Sequence, residues 1–111
     1  MRLTDLDPQW LHFRPSEPSS YLQCDRSAAN GILFLCPKCF ASNGGPVGTH
    51  MVLCWAPSVP PDVYPRPGRW TMQGDSFDTL SLVAGSSSVY LSGPGCQAHF
   101  FVENGEIRMC G

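Results

Sequence analysis

Apolar residues along this chain come in short bursts separated by turn-forming residues, with no stripe at helical spacing. The run "GILFLC", Gly31 to Cys36, is bounded by an Asn-Gly step before it and a Cys-Pro step after it, which predicts a buried strand. After the glycine-rich "SNGGPVG", the segment "THMVLCWA" from Thr49 to Ala56 has the β-branched and aromatic content of a second strand. Further strands are predicted at "RWTM", at "DTLSLV" with Leu80 and Leu82 on one face, and at "SSVYLS". The closing "AHFFVENGEIRMC" reads as a hairpin, because Asn104-Gly105 between two strand-like runs supplies the positive φ angles of a type I′ turn.

Residues 1–30 read as an irregular N-terminal arm, since Pro8, Pro15 and Pro18 interrupt any helix. Within it "DPQWLHF" fits a single helical turn with Asp7 as cap and Pro8 in first position, and Trp10 and Phe13 are expected to pack the arm down. The segment "PSVPPDVYPRPG" holds five prolines in twelve residues, so many φ angles are fixed and donors are lost; it reads as a stiff surface connector, or else a recognition loop. The expectation is one all-β domain over 1–111, a compact small sandwich or partly open barrel of about six or seven strands.

Composition supports short elements. Eleven glycines and eleven prolines among 111 residues, with 14% charged, leave no room for long helices. The net charge of −2 provides no excess of cations for a phosphate backbone, so nucleic acid is a disfavoured partner outside a local patch at Arg66 and Arg69. No run approaches the roughly 20 apolar residues of a membrane helix. The N-terminal stretch, with Asp5 and Asp7 and no apolar core, is unlike a secretory signal, so the expected location is cytoplasmic. In a reducing compartment the six cysteines are read as thiols or metal ligands before disulfides.

The chemistry-bearing spacing is Cys36-Pro-Lys-Cys39 at the end of a predicted strand. Its counterpart is Cys96-Gln-Ala-His99, directly before the final hairpin. Two such half-sites fit a tetrahedral Cys3His zinc site made of Cys36, Cys39, Cys96 and His99, which would tie the middle of the chain to its last hairpin and stabilise a small, proline-broken domain. His50 in "GTHMV" is the rival ligand: it can replace His99, sit beside the metal, or be only an imidazole at a strand start. Two other readings of Cys36 and Cys39 stay open. A redox pair normally opens a helix in a βαβ unit, whereas "CFASNGG" reads as loop; unconnected buried thiols are the remaining possibility.

The other candidates are weaker. Cys54 reads as a small buried residue, and Cys24, Cys110 and His12 receive no role. An incomplete ligand set would leave an open coordination position for a hydrolytic water, with His50, Glu103 or Glu106 as base; the two glutamates flank the hairpin turn and read more simply as solvated. The His-x-Glu half of a nucleotide deaminase is missing, as are HExxH, GxSxG and P-loop patterns. Trp10, Trp55, Trp70, Tyr64 and Phe77 read as core before ligand surface. The hydroxyl-rich "GSSSVYLSGPG" reads as a strand connection before an anion cradle.

Taken together, "LTDLDPQW", "FLCPKC", "GTH", "GDSFDTLSL" and "CQAHFFVENGEIR" resemble a family of small phage and bacterial proteins carried as a domain of unknown function and sometimes labelled ammonia monooxygenase in phage genomes. The resemblance spans most of the chain and implies a β-rich domain, metal-type positions at Cys36, Cys39, Cys96 and His99, and a phage or prophage origin. The monooxygenase label does not transfer, because that chemistry needs copper or iron ligands that these three histidines do not provide. The functional expectation is a zinc-stabilised phage accessory protein that binds a host protein or complex, such as a host defence complex, and inhibits it. The alternative is a zinc-dependent hydrolase with an open metal position.

Overall fold

In the computed structural model, which describes residues 1–14, 21–64, 69–83, 88–90 and 97–110, the chain folds mainly into strands. Nine strands are present among the described residues: β1 (Gln9–Phe13), β2 (Tyr21–Gln23), β3 (Gly31–Leu35), β4 (Met51–Trp55), β5 (Thr71–Gln73), β6 (Ser81–Val83), β7 (Ser88–Tyr90), β8 (His99–Glu103) and β9 (Glu106–Met109). One short helix, α1 (Pro37–Asn43), and two 3-10 turns, Leu3–Leu6 and Arg26–Ala28, complete the set. The strands form three antiparallel sheets of order β2-β1-β3-β4, β5-β6 and β7-β8-β9, which among the described residues do not close into a barrel.

The near-continuous apolar runs of β3 and β4 follow from burial on both faces of their sheet. Ile32, Phe34, Val52 and Cys54 face the main core, where they meet Leu80, Leu82, Phe100 and Val102 from the other sheets. Leu33 and Leu53 face the other way, toward a second cluster of Leu11, Phe13, Trp55, Val59 and Val63. Val59 and Val63 belong to the proline-rich connector, which therefore plugs one face of the sheet. Arg69 fixes that plug by donating to the carbonyls of Val59, Pro60 and Val63, while the Trp55 indole N–H donates to the Tyr64 carbonyl at 3.1 Å.

The final hairpin is as the Asn-Gly pair predicts. Asn104 and Gly105 take φ values of 50° and 74°, and Glu103 pairs with Glu106 across the turn. The N-terminus lies along this hairpin. Arg2 bridges Glu106, the Leu3 N–H donates to the Gly105 carbonyl at 2.8 Å, and the Ile107 N–H donates to the Met1 carbonyl at 2.8 Å. Leu3 and Leu6, both fully buried, reach the main core from there.

The described residues among the N-terminal thirty depart from the expected irregular arm. Asp7, with a left-handed φ of 50°, ends the 3-10 turn Leu3–Leu6 and does not start a helix; the chain then runs extended, with Leu11 and Phe13 buried on either side of exposed His12. Pairing of β1 with both β2 and β3 supplies the backbone partners that a single helical turn would not. With these two extra strands, β1 and β2, the described residues hold nine strands where about six or seven were expected. Residues 37–43 also differ, forming helix where a loop was expected: Pro37 fits the first helical position, and Gly44 ends the helix with a φ of 68°.

Candidate metal centre

The register of β3 and β4 builds the site. Their ladder runs from Gly31 opposite Trp55 to Leu35 opposite Met51, and the next step brings Cys36 opposite His50, with the Cys36 N–H donating to the His50 carbonyl at 2.9 Å. At Cys36 the chain turns into α1, where the Phe40 N–H returns to the Cys36 carbonyl at 2.9 Å. That first helical turn brings Cys39 back beside Cys36. The sulfurs of Cys36 and Cys39 and a ring nitrogen of His50 all lie within 4.8 Å of one another, a group able to hold a metal ion.

The three donors differ in access. Cys36 is buried, Cys39 half-buried and His50 exposed, so the group spans from the core to the surface. The loop that carries His50 is braced: the Asn43 amide donates to the Thr49 hydroxyl at 3.1 Å, that hydroxyl donates to the Gly45 carbonyl at 2.8 Å, and the Gly45 N–H donates to the Phe40 carbonyl at 3.0 Å. The His50 Nδ1 lies 3.3 Å from the Met51 carbonyl oxygen. A carbonyl can only accept, so in the tautomer with its proton on Nδ1 this contact is a hydrogen bond and the Nε2 lone pair is the one available to a metal.

Of the residues selected from sequence, Cys36 and Cys39 fall in this group and His50, the rival ligand, is its third member. His99 does not join it. His99 lies at the start of β8 opposite Tyr90, and its carbonyl accepts the Cys110 N–H at 2.9 Å. Cys96 lies outside the described residues, as does most of the "GSSSVYLSGPG" segment. Spacing along the chain favoured a CxxH half-site; strand register adds a histidine from the facing strand to the two cysteines among the described residues. One ground for discounting a redox pair also falls, because α1 does start at Pro37. The other ground stands, since β3 and β4 are antiparallel neighbours and form no βαβ unit.

The remaining candidates find structural places. Cys54 is buried in the main core, and burial pushes its thiol up to about 12. The Cys24 thiol is also raised, by burial first and then by Asp25. His12 contacts the Ala28 carbonyl at 2.9 Å. Glu103 pairs with Arg108 and Glu106 with Arg2. Trp55 is in the second cluster, Trp70 packs on the main core, and Trp10 stacks on Phe77 with ring centroids 4.2 Å apart and also carries the Arg26 guanidinium over its ring. Tyr64 is the departure among the aromatics, being 79% exposed. No helix is long and apolar enough to cross a membrane among the described residues.

No family model matches this chain, and neither does any curated protein or solved structure. Fold and site define a small all-β domain with a Cys2His donor group where a strand, a helix and a facing strand meet.

Proposed function

We propose that this protein is a zinc-stabilised β-module that works by binding another protein. The convergence of Cys36, Cys39 and His50 within 4.8 Å carries the reading. Tetrahedral zinc with Zn–S bonds of about 2.3 Å holds its sulfurs about 3.8 Å apart, within that limit, and two thiolates with one imidazole suit its borderline-soft character. Cys96 is the residue the sequence offers for the fourth position, which gives a Cys3His set with His50 in the role first assigned to His99. A zinc there would pin the end of β3, the first turn of α1 and the start of β4 to one point. Its chemistry would be structural: it would neutralise two thiolates, one of them buried.

Protein binding is favoured over catalysis because Glu103 and Glu106 are engaged by arginines, and an imidazole bound to the metal cannot also act as base toward a metal-bound water. The phage resemblance extends the reading to an accessory factor that blocks a host complex. The exposure of His50 favours a second reading, a zinc hydrolase whose ion is approached from solvent and whose base is another group.

Native mass spectrometry before and after chelation, with unfolding followed alongside, separates the two. One zinc per chain whose removal collapses the fold, and a Cys36→Ser variant that neither binds zinc nor folds, are expected. A zinc that leaves a folded protein, or a folded and metal-free Cys36→Ser variant, removes the structural role and returns the site to catalytic or redox chemistry.

A further inference from the structure

We infer that Cys39 and Cys36 are also a site of oxidation: a hydroperoxide joins their sulfurs in a disulfide, the zinc is released, and the tie between the start of β4 and the rest of the site is undone. This rests on the zinc-module reading above and deepens it by naming what regulates the site. The two sulfurs lie within 4.8 Å of each other, and no disulfide joins them in the structure. The turn that carries them is already shaped for one. Cys36 is the N-cap of α1 and Cys39 its third residue, and the Phe40 N–H closes the turn on the Cys36 carbonyl at 2.9 Å. Residues three apart on a helical turn have Cα atoms about 5 Å apart, inside the roughly 4.4–6.8 Å that a disulfide spans, so the bond can form by side-chain rotation with the backbone in place.

Burial sets the order of events. Cys39 is half-buried and open to a small oxidant, whereas Cys36 is buried. A thiol that binds a metal ion does so as the thiolate, which is also the form that oxidants attack. The Cys39 sulfur takes the terminal oxygen of the hydroperoxide, the O–O bond breaks, the alkoxide or hydroxide leaves and takes a proton from solvent, and Cys39 becomes a sulfenic acid. The Cys36 thiolate then attacks that sulfur and displaces hydroxide, which takes a second proton. Two electrons have passed from the sulfurs to the peroxide oxygens. His50 is then the one donor of the group that remains unchanged. The other described cysteines are poorer targets: Cys54 is buried in the main core, and the Cys24 thiol is raised by burial and then by Asp25, which disfavours its thiolate. Nor can the disulfide replace the ion as a stabiliser. It lies within a single turn at the end of β3 and the start of α1, whereas the donor group also includes His50 beside β4, and a bridge that closes so short a loop constrains the unfolded chain least.

The test adds hydrogen peroxide to reduced, zinc-loaded protein and follows zinc with a chromophoric chelator, disulfides by peptide mapping, and stability by urea unfolding. One zinc is expected to leave for each peroxide consumed, with Cys36 joined to Cys39 and the urea midpoint lowered. A dithiol reductant with added zinc should restore all three. The Cys24→Ser/Cys110→Ser variant, which keeps the pair and removes the other half-exposed thiols, should release its zinc at the wild-type rate and with the same disulfide. Zinc retained while Cys24 or Cys110 is oxidised, Cys39 joined to Cys96 in place of Cys36, or an oxidised protein as stable as the zinc-loaded one would overturn the switch and leave the zinc module standing. Reduced protein that holds no zinc, or that sheds it to a chelator without unfolding, defeats the underlying reading and the switch with it.

Discussion

Cys36 and His50 are opposed residues at the open end of the β3–β4 ladder, joined through the Cys36 N–H and the His50 carbonyl at 2.9 Å. The ladder that pairs their backbones also sets the imidazole close to both thiols, so formation of this sheet and binding of a metal there would favour each other.

Replacing this histidine should therefore affect zinc more than replacing His99. His50→Ala is expected to weaken zinc binding about a hundredfold, on the order of 3 kcal/mol, and His99→Ala by less than about threefold, as read by competition with a chromophoric chelator. The reverse order would assign the ligand to His99.

Gly31 sits opposite Trp55, and a Cβ there would lie 2.3 Å from one ring carbon and 2.5 Å from the next. Gly31→Ala should cost about 1–3 kcal/mol in urea unfolding through overpacking. In the Trp55→Leu background, itself destabilised by the smaller core residue, the same change should cost much less. Equal costs in the two backgrounds would mean that the ring is not the obstacle.

Cys54 predicts a loss of stability in alkali. Its thiol is raised by burial from 9.0 to about 12, so between these values the folded chain keeps a proton that the unfolded chain has released. The associated stability is complete below pH 9.0 and declines as pH rises toward 12. Compared by urea unfolding at about pH 8 and about pH 10.5, the advantage of the wild type over Cys54→Ala should shrink by about 2 kcal/mol. A constant difference would show that the thiol ionises without cost.

Arg69 predicts a local effect. Its guanidinium serves three carbonyls of the connector that plugs the sheet, and burial lowers its pKa while Asp62 opposes that shift. Arg69→Lys replaces a planar fork with a point donor and should cost about 1–3 kcal/mol, with earlier proteolysis between residues 57 and 64. Unchanged cleavage there would mean that Val59 and Val63 hold the plug unaided.

Seven of the strands were legible because each apolar burst is closed off by Gly, Pro, Asn or Ser. Strand β1 was not, since Pro8 and the polar Gln9 and His12 disguise its alternation and its pairing with β3 is long-range. Helix α1 was obscured by its shortness and by the glycines that follow. Within the site, Cys36 and Cys39 announce themselves by spacing. The choice of histidine needs the ladder register, which no local window contains, because His50 and His99 both stand beside strand starts.

The pairing of Arg2 with Glu106, 104 positions apart, has a consequence for how the domain folds. Leu3 and Leu6 cannot complete the core until the last hairpin is there to receive them, so they wait on partners at the far end of the sequence. The slowest step of folding is expected to be closure of that longest loop.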